Sequence, residues 1–166
     1  MELFPCGSAV LSECGRYRYR LTRDLGAGAP VCFIMLNPST ADADTDDQTI
    51  RKCKMFATRW GFGQIIVVNL FAWRATDPRE LRKVPDPIGP GNDEHIRWAV
   101  AEAAMTVAAW GVEQPALVAA RAFHVGRQLL GHSRLHCIAT TKRNEPKHPL
   151  YLPASSQPRL WPMDMR

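Results

Sequence analysis

The sequence lacks the features that mark several common classes of protein. Its five cysteines are an odd number and form no Cys-x-x-Cys pair, which argues against a disulfide framework or a zinc ribbon. It has no apolar run of membrane-spanning length, and its first residues do not combine a basic segment with an apolar one. We therefore expect a protein that stays in the cytoplasm and has no membrane partner.

The short motifs of several enzyme classes are also missing. There is no Gly-x-x-x-x-Gly-Lys-Ser/Thr loop, no Gly-x-Gly-x-x-Gly after a strand, no Gly-x-Ser-x-Gly elbow and no His-Glu-x-x-His. These absences argue against P-loop nucleotide hydrolysis, hydride transfer by a dinucleotide enzyme, serine hydrolysis and zinc proteolysis.

What is present is a chain of ordinary globular composition with a basic balance. Its 166 residues, 46% of them hydrophobic, suit one domain, which we divide into an N-terminal hairpin (1–30), a core (31–152) and a Pro-rich tail (153–166). A tail of this composition can pack on the domain or on a partner. The net charge of +5 favours partners that carry phosphate, although a solvated surface explains each basic group equally well.

Strand patterns and helix patterns alternate along the chain. Residues 9–12 and 17–21 alternate polar and apolar side chains and predict a hairpin. After the hairpin, continuous apolar runs that are typical of buried strands alternate with amphipathic helix patterns. Strands are predicted at 31–36, 64–70, 105–110 and 135–140, and helices at 46–60, 92–104 and 115–130. This order predicts a three-layer α/β/α sandwich with a mostly parallel central sheet, whose ligands bind beyond the carboxyl ends of the strands.

The first predicted strand of the core ends at a polar segment, Asn-Pro-Ser-Thr-Ala-Asp, at residues 37–42. Ser39 or Thr40 can cap a following helix, which is a purely structural role. Alternatively, Asn37 presents its amide to a ligand or to a water. The carboxylates that follow can cap a helix, but they lack the glycine and glutamate positions of a calcium loop, and we predict no metal site.

The next strand ends at Asn69, in a segment that contains two aromatic residues and an arginine. The Asn69 amide can donate to and accept from the edge of a base. Phe71 and Trp73 offer flat surfaces for stacking; we expect the core to take at least one of them, Trp73 by preference. Arg74 suits a phosphate, or a carboxylate such as that of Asp77.

A third polar segment follows the last predicted strand, at residues 141–151. It contains Lys142 and a histidine, His148, held between a basic segment and a proline. Such a histidine is suited to donate a hydrogen bond to a developing anion, although a lone loop histidine is more often a surface residue.

These segments resemble a bacterial and phage family known as domain of unknown function 1643. The resemblance spans nearly the whole chain. It rests on Phe-Ile-Met-Leu-Asn-Pro-Ser-Thr-Ala-Asp at 33–42, Val-Asn-Leu-Phe-Ala-Trp-Arg-Ala-Thr-Asp-Pro at 68–78, Trp-Gly at 110–111 and Lys-His-Pro-Leu-Tyr at 147–151.

The same order of motifs more distantly resembles the uracil-DNA glycosylase superfamily. That resemblance implies a glycosylase-like fold in which Asn37 positions a water, Asn69 reads a base and His148 stabilises the departing base anion. The sequence departs from the superfamily pattern at Met35, where glycine is favoured, and at Leu150, where serine is usual. An asparagine cannot act as a general base, so Asp42 or Asp44 would have to reach the water.

We therefore predict an enzyme that hydrolyses the N-glycosidic bond of a base flipped out of DNA, rather than RNA, without a cofactor. The cysteines do not reproduce the spacing of the iron-sulfur cluster found in some glycosylases. The alternatives are a non-catalytic module that binds nucleic acid or a nucleotide, and an enzyme of free nucleosides. Leu150 and Tyr151 are candidates to wedge into the vacated stack. The predicted ligand-binding residues are Pro38, Ser39, Thr40, Asn69, Phe71, Arg74, Lys142, Leu150 and Tyr151, beside the catalytic candidates Asn37, Asp42 and His148.

Overall fold

A computed structural model describes residues 7–39, 45–131 and 134–162 of the chain. Its strands are β1 (Gly7–Leu11), β2 (Arg18–Asp24), β3 (Pro30–Met35), β4 (Gln64–Asn69), β5 (Met105–Ala108), β6 (Leu135–Cys137) and β7 (Arg159–Leu160). Its α-helices are α1 (Gln48–Arg59), α2 (Asn92–Glu102) and α3 (Pro115–Phe123), the last continued by a π-helical turn, His124–Leu129. Short 3₁₀ helices form at Pro78–Arg82 and Pro149–Tyr151. None of the helices in these ranges is long and apolar enough to cross a membrane.

The strands form one mixed sheet in the order β1-β2-β4-β3-β5-β6-β7. Its four central strands are parallel, as predicted, and the N-terminal hairpin is confirmed. The prediction of a mostly parallel sheet is too simple, because β2 adds to β4 and β7 adds to β6 in the antiparallel sense. From β3 the chain winds first to β4 on one side and later to β5 on the other, so β3 stands at the topological switch point.

Helices cover both faces of the sheet. Side chains of β3 alternate between the two layers: Val31, Phe33 and Met35 pack with α1, whereas Cys32 and Ile34 pack with α2 and α3. The apolar run predicted at 31–36 is therefore explained as expected, because the strand is buried on both faces of the sheet.

A bulge in β2 changes the direction of one charged side chain. Leu11 pairs with Arg18 but Val10 pairs with Arg20, so Tyr19 is an extra residue in the ladder. Tyr19 stacks on His95 of α2, and the Arg20 guanidinium lies 3.8 Å above the Trp98 ring on the same helix. Because the bulge breaks the alternation, Arg18 lies on the opposite face from Arg20, beside the start of α1.

The described part of the tail packs on the domain. Trp161 meets Trp110 edge to face, with ring centroids 5.3 Å apart, and its backbone N–H donates to Leu135 O at 2.9 Å. The Trp60 indole N–H donates to Ser156 O at 3.0 Å. Of the two roles open to the tail from its composition, the structure shows the intramolecular one for residues 153–162.

Candidate functional site

A cleft of about 520 Å³ opens at the carboxyl ends of β3, β4 and β5, in the size range of small-molecule sites. The end of the sheet, the start of α1 and residues 147–152 form its walls. The position agrees with the rule for ligands in open α/β sheets. The polar side chains that line the cleft include Arg18, Asn37, Ser39, Asp47, Asn69 and His148.

Asn69, the last residue of β4, is the most deeply buried polar residue of the cleft, with 3% of its surface exposed. Its backbone oxygen is fixed by Asn92, whose Nδ2 donates to it at 2.9 Å. No described group makes a hydrogen bond with the Asn69 side-chain amide. The amide is therefore available to a ligand that enters the cleft.

His148 presents a fixed hydrogen-bond donor. Its Nδ1 accepts a hydrogen bond from the backbone N–H of Leu150 at 3.2 Å, which leaves the proton of the neutral ring on Nε2. Burial lowers the pKa of His148, and the nearby carboxylate of Asp47 opposes part of that effect. The ring is therefore neutral at physiological pH and can donate from Nε2 into the cleft.

Asn37 is held in one orientation by the backbone. Its Nδ2 donates to Ala75 O at 2.8 Å and to Pro38 O at 3.1 Å. Both amide protons are thereby used, and Oδ1 remains as an acceptor on the cleft wall.

Two carboxylates line the described part of the cleft, that of Glu113, which is exposed, and that of Asp47, which is half-buried. The Oδ1 of Asp47 caps α1 by accepting from Ile50 N at 2.8 Å, and its Oδ2 accepts from the Ser39 hydroxyl at 3.3 Å. The sequence predicted helix capping for this group of aspartates but gave no sign that Asp47 lines the cleft. Thr40 and the predicted catalytic Asp42 lie outside the described residues.

Arg18 is a cleft residue that sequence reasoning missed. Only 6% of its surface is exposed, and burial, together with the positive charge of Arg74, lowers the pKa of its guanidinium to about 10. The sequence pattern did not indicate this position, because strict alternation along a strand places Arg18 and Arg20 on the same face. The bulge in β2 breaks that alternation.

Four predicted ligand-binding residues do not line the cleft. Phe71, predicted to stack on a base, is 1% exposed within the core, whereas Trp73 is half-buried and lies edge-on to Tyr17. The expectation that the core takes at least one of the two aromatic residues is therefore confirmed, but the residue it takes fully is Phe71, whereas Trp73 packs against the core only in part. Arg74 donates to Gly15 O at 3.0 Å. Pro38 contributes its carbonyl to Asn37, and Lys142 is exposed, while Lys147 lines the cleft in its place.

Two predicted wedge residues do lie at the cleft. Leu150 is half-buried, and Tyr151 is 84% exposed although its ring centroid is only 6.2 Å from that of His148. An aromatic ring so exposed at a cleft is available to contact a partner.

Among the residues described, no group of three or more His, Cys, Asp or Glu is arranged to hold a metal ion. The cysteines in these ranges are free: Cys14 is exposed, and Cys32, Cys53 and Cys137 are buried. The groups that line the described part of the cleft thus include two amides, an imidazole, two carboxylates, a guanidinium and an ammonium group.

Comparison with known proteins identifies a family whose description names no activity. The family model described as "Protein of unknown function (DUF1643)" matches residues 18–150, well over half of the chain. The chain belongs to the DUF1643 family. The matched range of this DUF1643 protein includes Arg18, Asn37, Asn69 and His148. No curated protein and no solved structure matches the chain.

Gly111 of this DUF1643 protein supports His148 by leaving room for it. Its φ is +78°, and a Cβ placed there would lie 3.2 Å from the Cβ of His148. We expect Gly111→Ala to lower the free energy of unfolding by about 1–2 kcal/mol from the backbone alone, and to displace His148 as well. Gly61→Ala is the matched control, because its φ is +85° and a Cβ there meets nothing within 4 Å. Equal losses for both variants in urea denaturation would show that the contact with His148 is unimportant.

The stability of this DUF1643 protein should fall in mild acid. Burial lowers the pKa values of His95, His136 and His148 below the ordinary 6.5, whereas unfolding restores that value. The unfolded chain therefore binds more protons below pH 6.5, so the stabilisation present above it is lost as pH falls towards the lowered values. Urea denaturation between about pH 7.5 and about pH 5.5 measures this loss. His148→Gln should reduce the slope, and an unchanged slope would contradict the contribution assigned to His148.

Proposed function

We propose that this protein hydrolyses the N-glycosidic bond of a base that is flipped out of DNA into the cleft. The observation that carries the proposal is the side-chain amide of Asn69, which lines the cleft and has no hydrogen-bond partner among the described residues. An asparagine amide pairs with a base edge in both directions, and such a pair discriminates bases by about 1–3 kcal/mol. The Watson–Crick edge needed for this pairing is free only in a base that has left the duplex.

His148 is suited to the departing base. When the glycosidic bond breaks, its electron pair leaves with the base, and negative charge develops on the ring and its carbonyl oxygens. A neutral imidazole with its proton fixed on Nε2 can donate to such an oxygen without prior reorganisation. This role agrees with the one implied by the resemblance to uracil-DNA glycosylases.

Asn37 and Asp47 are suited to the attacking water. The Oδ1 of Asn37 can accept one hydrogen from a water and orient its oxygen towards the anomeric carbon. Since an amide cannot take up the proton, we assign that step to the carboxylate of Asp47. The water oxygen then forms the new bond to the sugar, and the base leaves as an anion held by His148.

Residues at the cleft and beside it suit a polyanionic partner. Tyr151 and Leu150 can occupy the space that the flipped base leaves in the stack. Lys142, Arg143 and Lys147 are exposed beside them, and binding of their charges to phosphates displaces counterions.

A binding module without catalysis is the second candidate, and the bonding of Asn37 favours it. Both amide protons of Asn37 serve the backbone, which is a sufficient structural reason for an asparagine at this position. In that case the protein retains a nucleic acid or a nucleotide in the cleft and releases nothing.

Release of bases from oligonucleotides that carry uracil, mismatches or modified pyrimidines tests the proposal. We expect release by the native protein from at least one of them, and loss of release in both Asn37→Ala and His148→Ala. No release across the panel, with binding that weakens as salt rises, favours the module. Release that persists equally in both variants would come from a contaminating enzyme and would remove the support for the proposal.

A further inference from the structure

Arg18 differs from the other buried arginines of the protein. Among the described residues Arg23 and Arg121 are also buried, and each has a carboxylate partner: Arg23 pairs with Asp46 at 2.8 Å and Arg121 with Asp93 at 2.6 Å. No described carboxylate lies within 4.0 Å of the Arg18 guanidinium, and the buried Nε of Arg18 has no hydrogen-bond partner among the described residues. Within the described part of the chain, Arg18 is thus a buried charge without a close counterion.

The described surroundings of Arg18 add more positive charge than negative. Of the described charges that act on it, Arg74 and Arg23 have the same sign and Asp47 has the opposite sign. An ion buried without a close partner costs several kcal/mol, even after relaxation of the protein. A protein tolerates that cost where the charge has a function, and Arg18 lies in the wall of the cleft.

The bulge in β2 places this charge in the same cleft as the Asn69 amide. β2 pairs with β4, the strand that ends at Asn69, and both side chains line the same cleft. A guanidinium donates hydrogen bonds and accepts none, and its planar fork matches the oxygens of a carboxylate or a phosphate. A ligand group that meets Arg18 must therefore bring acceptors, and negative charge for the best fit.

We propose that Arg18 is an anion-binding residue that takes an oxyanion of the ligand in the inner part of the cleft, beside Asn69. The inference rests on the proposed function and narrows its substrate class to ligands in which an anionic group accompanies the base. The oxyanion has two sources: a phosphate of the nucleotide that carries the base, or a carboxylate substituent on the base itself.

Binding of small probes at constant ionic strength distinguishes these sources. The probes are uridine, uridine 3′- and 5′-monophosphate, uracil and uracil-6-carboxylate, each titrated calorimetrically into the native protein. We expect one anionic probe to bind roughly ten- to a hundredfold more tightly than its neutral counterpart, the range of a charge-assisted hydrogen bond. Preference for a monophosphate identifies the nucleotide phosphate, and preference for the carboxylated base identifies the base substituent.

Arg18→Gln and Arg20→Gln are the matched variants. Both remove a guanidinium from β2, but Arg20 lies over Trp98 on the other face of the sheet. Arg18→Gln should abolish the preference for the anionic probe, and Arg20→Gln should keep it. Arg18→Gln should also melt at the native temperature or above it, because it removes an uncompensated buried charge.

The inference fails if anionic and neutral probes bind alike, if none binds, or if Arg18→Gln keeps the preference. A melting temperature of Arg18→Gln well below those of the native protein and of Arg20→Gln would also overturn it, since that result assigns Arg18 a structural role. The proposed function fails separately. Anion preference that depends on Arg18 without base release overturns the glycosylase alone, and base release without that preference overturns the anion subsite alone.

Discussion

Asn69→Ala should reduce base release by at least about a hundredfold while leaving the free energy of unfolding within about 1 kcal/mol of the native value. The reason is that the Asn69 amide has no hydrogen-bond partner among the residues that the structure describes. Its removal therefore breaks no hydrogen bond between described residues of the folded protein. The substitution instead weakens the complex with the substrate, in which the amide would pair with the base. Single-turnover release and urea denaturation measure the two quantities.

Asn92→Ala is the control that gives the opposite signature. Asn92 is also buried, but its Nδ2 donates to the backbone oxygens of Asn69 at 2.9 Å and Leu70 at 3.2 Å. Its loss should therefore lower the free energy of unfolding by roughly 2 kcal/mol, because it removes hydrogen bonds from a buried strand end. If Asn69→Ala is instead the more destabilising of the two, the Asn69 amide has a structural role. That result would remove the main observation in favour of base recognition.

The buried strands could be predicted because burial on both faces gives one sequence pattern. The apolar runs at 31–36 and 64–70 became β3 (Pro30–Met35) and β4 (Gln64–Asn69), with differences of one residue at their ends. The polar residues that end these runs, Asn37 and Asn69, consequently fell at one edge of the sheet and in one cleft. That much of the site follows from strand direction alone.

Other features depend on pairings that no local pattern contains. The bulge that turns Arg18 towards α1 exists because Leu11 and Val10 pair with residues two apart in β2. Phe71 is buried because the ladder continues past β4, with Phe71 N donating to Leu36 O at 3.0 Å. Strand β7 is two residues long, too short for any periodicity to indicate it.

Asp47 illustrates how one side chain can combine a structural and a chemical role that sequence cannot separate. As a helix cap it needs only a side-chain oxygen that accepts from the Ile50 N–H, and asparagine supplies one as well as aspartate does. As a general base it needs a carboxylate, which asparagine lacks. Two substitutions at the same position therefore separate the cap from the chemistry.

Asp47→Asn should keep the native stability but lower the rate of base release by about 10²–10⁴, the usual contribution of a general base. Asp47→Ala should lose a similar rate and, in addition, about 1 kcal/mol of the free energy of unfolding, because the cap of α1 is gone. Urea denaturation and single-turnover release distinguish these effects. Base release by Asp47→Asn at the native rate would reassign the proton transfer to another group and leave Asp47 as the cap of α1 alone.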